Sequence, residues 1–170
     1  MKKVVFLVAL AAILVFPGAV IAGSNTDSTS LTVRVLPASI DIEAPDAIDT
    51  WNLLVGQNSR TATLHVTCNA NWNVAVKDVE VGKPAGSQGY LVEWDGMDYG
   101  AVVLDNALGV QAAGQSEVTL SGSEQYLWDL AQGPADQDYT ITFNQSLGAM
   151  ESDALGKTVH TVVTFVGTTY

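Results

Sequence analysis

Basic residues are scarce: seven Lys and Arg stand against eighteen Asp and Glu, and the net charge is −11. Two of the seven, Lys2 and Lys3, open the chain, and the other five are scattered. Nucleic acids and anionic membrane surfaces recruit clustered Lys and Arg, so neither is an expected partner. Cysteine is nearly missing as well. Cys68 stands alone, so no internal disulfide can brace the fold, which must rest on its hydrophobic core. In the stretch "RTATLHVTC" it falls in register with Ala62, Leu64 and Val66, which predicts a buried, unreactive thiol. Histidine is limited to His65 and His160, both on predicted water-facing strand positions. One cysteine and two scattered histidines give neither zinc-ligand spacing nor a base beside a nucleophile. No catalytic residue and no enzyme activity are expected.

Long apolar runs are also lacking. The longest, Val4 to Phe16, is shorter than the roughly 20 residues a spanning helix needs, and no later segment approaches it. Preceded by Lys2-Lys3 and followed by Pro17-Gly18 and the small residues of Val20-Ile21-Ala22, it reads as a cleavable export signal. The mature start is placed near Gly23, so residues 1–22 are leader. Mature protein is expected outside the cell, secreted or at the cell surface, with no membrane span. No cysteine follows the leader to carry a lipid, and "TFVGTTY" closes the chain without a sorting tail.

Residues 23–30, "GSNTDSTS", are small and polar, the composition of a flexible arm. From Leu31 to Tyr170 the chain reads as one domain of short alternating segments separated by Gly, Asn, Asp and Pro. The clearest is Arg60–Cys68, which alternates with outward Thr61, Thr63, His65 and Thr67. A turn at Asn69-Ala70-Asn71 and the stretch "WNVAVKDV", burying Trp72, Val74 and Val76, predict a hairpin. Further strands are predicted in "LTVRVL", "SIDIEA", "WNLLV", "YLVEW", "AVVL", "ALGVQA" and "SEVTL". "YTITFNQSL" and "KTVHTVVTFV" are expected to pair with each other, with "GAMESDALG" between them as a wide loop or one helical turn. "SEQYLWDLAQG" has a helical look, because Leu127 and Leu130 sit three apart and Gly133-Pro134 would stop it. Roughly nine to eleven short strands with frequent turns make an all-β antiparallel sandwich the expected fold, ahead of a barrel.

Three groups of residues offer chemistry. In "EWDGMDYG", Asp95 and Asp98 lie in a turn framed by Gly96 and Gly100, a setting that suits either a calcium ion or an ordinary hairpin. Calcium is the one cofactor the sequence raises. Trp94 and Trp128 fall in a turn and an irregular segment, where an aromatic face could carry a sugar ring or simply pack. Asn144-Gln145-Ser146 is a glycosylation acceptor sequence, with Asn144 on the outer face beside Thr140 and Thr142. The remaining acidic residues around Pro45 and at Asp136 and Asp138 read as a solvated surface.

The "TLHVTCNANWNVAVKD" segment and the closing "TVVTFVG" resemble small secreted β-sandwich proteins of bacterial and archaeal surfaces. "TATLHVTCNANWNV" is similar to the Asn-x-x-Trp hairpin of immunoglobulin-like modules that accompany carbohydrate-active proteins, and it carries no catalytic residue over. "TWNL" and "LWDL" resemble the Trp-x-Leu pair of cell-wall-binding domains, although their surroundings differ. The polar arm followed by "LTVRVL" also resembles fibre-forming surface sandwiches, in which a terminal strand completes a neighbour's sheet. These likenesses imply an immunoglobulin-like sandwich with a structural or adhesive role, partnered by itself or by other surface proteins and joined by edge-strand exchange. The alternative is an extracellular module for glycan or calcium.

Overall fold

Alternation of β-branched and aromatic residues with short polar ones runs longest in two places, and these become the two longest strands. In the computed structural model, which describes residues 33–49 and 51–170, β2 (Gly56–Cys68) and β9 (Ala135–Leu147) pair antiparallel over thirteen residues without a register shift. Around them lie β1 (Ile40–Glu43), β6 (Gly109–Ala112) and β7 (Val118–Thr119), giving the order β1-β2-β9-β6-β7. A second sheet joins β3 (Trp72–Lys77) to β8 (Gln125–Ala131) and β11 (Thr164–Thr169) in the order β11-β3-β8. The third joins β4 (Tyr90–Trp94) to β5 (Tyr99–Ala107) and β10 (Val159–His160) in the order β10-β4-β5. The fold is therefore all-β, eleven antiparallel strands in three sheets, and no α-helix occurs among the described residues. All eleven belong to the unit Leu36–Tyr170, whereas residues 33–35 fall in a separate unit, Met1–Val35. The export leader and the polar arm lie outside the described residues.

The main core forms between the first and second sheets. Leu64, Val66, Cys68, Val110, Ala112, Ile141 and Phe143 face Trp72, Val74, Val76, Leu127 and Trp128, all buried. Each of the buried Leu, Val, Ile and Phe side chains contributes on the order of 1.5–3 kcal/mol by leaving water. Trp72, Trp128 and Tyr139 form its aromatic centre, with centroid separations of 5.6, 5.7 and 4.8 Å. Cys68 is buried there as a free thiol. A smaller cluster of Leu91, Leu104 and Leu147 attaches the third sheet. Gln145, fully buried in register with Ile141 and Phe143, donates to the carbonyl of Asn106 at 2.9 Å and so ties β9 to β5.

The expected β2–β3 hairpin does not form. Leu64, Val66, Trp72, Val74 and Val76 are inward as predicted, but β2 and β3 lie in different sheets that contribute to one core. Alternation specifies which face of a strand is dry, and two strands can share one core as neighbours or as opposing walls. The intervening asparagines act as anchors: Asn69 accepts from the Ser39 amide at 2.8 Å and Asn71 from that of Gly133 at 2.8 Å. The two long C-terminal stretches do not pair with each other either. β9 is occupied by β2 and β6, and the last stretch splits into β10, on β4, and β11, on β3.

The helical reading of "SEQYLWDLAQG" is replaced by strand β8. Irregular pairing with β3 buries both Leu127 and Trp128 and leaves Leu130 exposed at φ 57°, its amide held by Asn73 Oδ1 at 2.7 Å. "GAMESDALG" contains a single 3₁₀ turn, Ser152–Ala154. Of the weaker predicted strands, "WNLLV" stays outside the sheets, and so do residues 33–36 of "LTVRVL". Leu31 and Thr32 lie outside the described residues.

Candidate functional site

After Val76, the inward register of β3 reaches Asp78, a carboxylate aimed into the protein. Its side chain and that of Lys83 are fully buried and meet at 2.5 Å. Burial alone would raise the Asp78 pKa, but hydrogen bonds from Lys83 and from the amides of Gly89 and Glu80 hold it below the usual carboxylate range. Lys83 donates all three protons: to Asp78, to the Tyr90 carbonyl at 2.7 Å and to Thr161 Oγ1 at 3.0 Å. Thr161 in turn donates to Asp78 Oδ2 at 3.2 Å. The network closes on itself. It fastens the loop after β3 to β4 and to the segment following β10, and every lysine proton is engaged.

Beside this pair lies an aromatic group. Trp94 stacks on His160 with centroids 5.1 Å apart at 27°, and packs against Tyr99 at 4.8 Å. His160 Nε2 is 3.5 Å from Glu80 Oε1. The other Glu80 oxygen and the Tyr99 hydroxyl are buried without a hydrogen-bond partner. Burial, then the nearby Glu80 and Asp78 charges, pushes the Tyr99 hydroxyl well up, so it stays protonated. Sequence reasoning singled out Trp94 and His160 of these residues, but not Asp78, Glu80, Lys83 or Tyr99. A recoverable signal existed in the spacing of Trp72, Val74, Val76 and Asp78, because a carboxylate at the fourth inward position demands a buried partner.

A groove of about 740 Å³ lies between residues 44–49 and 51–53 on one side and 154–163 on the other. Leu91, Leu104, Leu108, Phe143, Leu147 and Phe165 contribute apolar walls. His160 lines it, yet its lining includes no serine or cysteine. Residues 44–49, 51–53 and 161–163 make no backbone–backbone hydrogen bond among the described residues.

Most residues singled out from sequence lie elsewhere. Asp95 and Asp98 are exposed, and Asp95 Oδ1 accepts from the amides of Met97 and Asp98, both at 2.8 Å, closing the β4–β5 turn. These bonds also lower the Asp95 pKa. No group of three His, Cys, Asp or Glu arranged for a metal ion occurs among the described residues. Trp128 is 8% exposed, its ring enclosed by Trp72 and Tyr139, and thus offers no open face to a sugar. Asn144 is half-buried in β9. Its oxygen accepts from Ser59 at 2.6 Å, and its amide nitrogen, the atom a glycan would use, donates to Glu117 at 2.5 Å. His65 sits outward on β2 between Asp138 at 2.8 Å and Asp136 at 3.3 Å. The hydrogen bond to Asp138, with both negative charges, raises its pKa despite some desolvation. His160, expected to face water from a flat sheet, is instead half-buried at the groove. No protein-family model and no curated protein matches this chain.

Proposed function

We propose that this chain is an immunoglobulin-like sandwich exported from the cell, serving as a structural or adhesive surface subunit that assembles by exchanging residues 23–36 between copies. The observation that carries this reading is an apolar alternation left unused. Val33, Val35 and Leu36 are 70%, 88% and 64% exposed, and residues 33–39 belong to no sheet. An apolar strand pattern without a sheet has its natural complement in an open edge, which another copy supplies. The acidic surface keeps unassembled subunits apart and soluble. With its one free thiol buried, cohesion between copies would be noncovalent. Light scattering of residues 23–170 across concentration should report association, and the same chain starting at Pro37 should stay monomeric. Equal behaviour of the two proteins would remove the proposal.

A second reading, a module for glycan or calcium, is favoured by the Trp94–Tyr99–His160 group beside the exposed carboxylates Asp95 and Asp98. A glycan array and a calcium titration test it. A response abolished by Trp94→Ala or Asp98→Asn would place the ligand at this turn.

A further inference from the structure

The groove bordered by residues 44–49, 51–53 and 154–163 has features that ordinary packing leaves unexplained. Its 740 Å³ is bordered by Ile48, Trp51, Leu53, Val159 and Phe165, apolar side chains that are only partly buried. Those walls forgo dispersion contacts on one side, and apolar surface stays wet. Along it, residues 44–49, 51–53 and 161–163 belong to no strand, and their N–H and C=O groups have no backbone partner among the described residues. Such a slot, apolar at its base with hydrogen-bonding groups along its sides, is the complement of a β-strand. Its rim is also charged. Asp46 and Asp49 line it, both exposed and in no ion pair among the described residues.

Building on exchange of the N-terminal segment, we propose that this groove is the acceptor and that Leu31–Leu36 of a second copy is its occupant. Six residues in strand conformation span about 20 Å and present Leu31, Val33 and Val35 on one face. That face meets Trp51, Leu53 and Phe165. Arg34 then points to the opposite side, toward the Asp46 and Asp49 rim. It is one of only seven basic residues in the chain, and it forms no ion pair among the described residues. The flanks at 44–49 and 161–163 supply the backbone partners that a new strand needs.

Cysteine pairing tests the assignment in the mature chain carrying Cys68→Ala. Copies with Val33→Cys are mixed with copies bearing either Val162→Cys or Ala47→Cys, two exposed groove positions. Met97→Cys, exposed in the β4–β5 turn, serves as the control. Disulfide formation between copies at least five times that of the control, at either groove position, is the expected result. Pairing no better than the control at both positions, while removal of residues 23–36 still abolishes association, places the acceptor elsewhere and overturns this inference but not the exchange. Association that survives the truncation, or a mature chain that never associates, overturns the exchange itself. A disulfide within one chain at high dilution, in a variant carrying both Val33→Cys and Val162→Cys, would show the segment folding back into its own groove and would also defeat the inference.

Discussion

Asp78 and Lys83 show how one buried ion pair can govern a loop. Each was removed from water at considerable cost, and each is compensated by the other and by Thr161, Tyr90, Gly89 and Glu80. Lys83→Met should therefore lower the unfolding free energy by about 3–5 kcal/mol in denaturant titration, because it leaves a carboxylate buried without its cation. The folded-state pKa of Asp78 is depressed, so its stabilising contribution is complete above the unfolded value near 4 and fades as pH falls through the folded value. Stability of the native chain should accordingly drop more steeply below about pH 4 than that of Asp78→Asn. His65 has the opposite sign. Its folded pKa is raised, so its contribution is present below the unfolded value near 6.5 and is lost as pH rises through the folded one. NMR titration should find His65 above 6.5, and Asp138→Asn should bring it down.

At the level of strands, the sequence was informative about faces and uninformative about neighbours. Every inward residue predicted in "TLHVTC" and "WNVAV" is buried, because period-two spacing is a local property. Whether β2 and β3 share a ladder depends on Asn69, Asn71 and distant partners such as Ser39 and Gly133, which no local pattern encodes. The β8 segment misled for a related reason: an irregular strand places apolar residues at adjacent and three-apart positions, as a helix turn does. A glycine offers the sharpest test at this scale. A Cβ on Gly89 would sit 2.0 Å from the Leu120 carbonyl oxygen, at φ +90°, where the loop after β3 crosses the end of β7. Gly89→Ala should cost about 2–5 kcal/mol, combining backbone strain with a steric clash. Gly86→Ala, at φ +82° but with nothing within 4 Å, should cost only about 1–2 kcal/mol. Equal losses in thermal unfolding would mean that the crossing is looser than described.

For the molecule as a whole, all-β architecture was legible from turn spacing and alternation, while the third sheet was not. Ile48, Trp51 and Leu53 are apolar, yet with Phe165 they border an open groove and stay only partly buried. A pattern of apolar residues reports that they avoid water, not whether the chain has enough covering segments to keep water out. The groove exists because residues 44–49 and 51–53 run outside every sheet, which no local pattern encodes. The continuous β2–β9 ladder bears on what such a subunit could endure. Its thirteen registered residue pairs share a load applied along the strand axis, so shear must break many bonds at once. β10 and β7, paired over two residues each, would peel one bond after another. Tension would thus strip the periphery long before it parted the central ribbon.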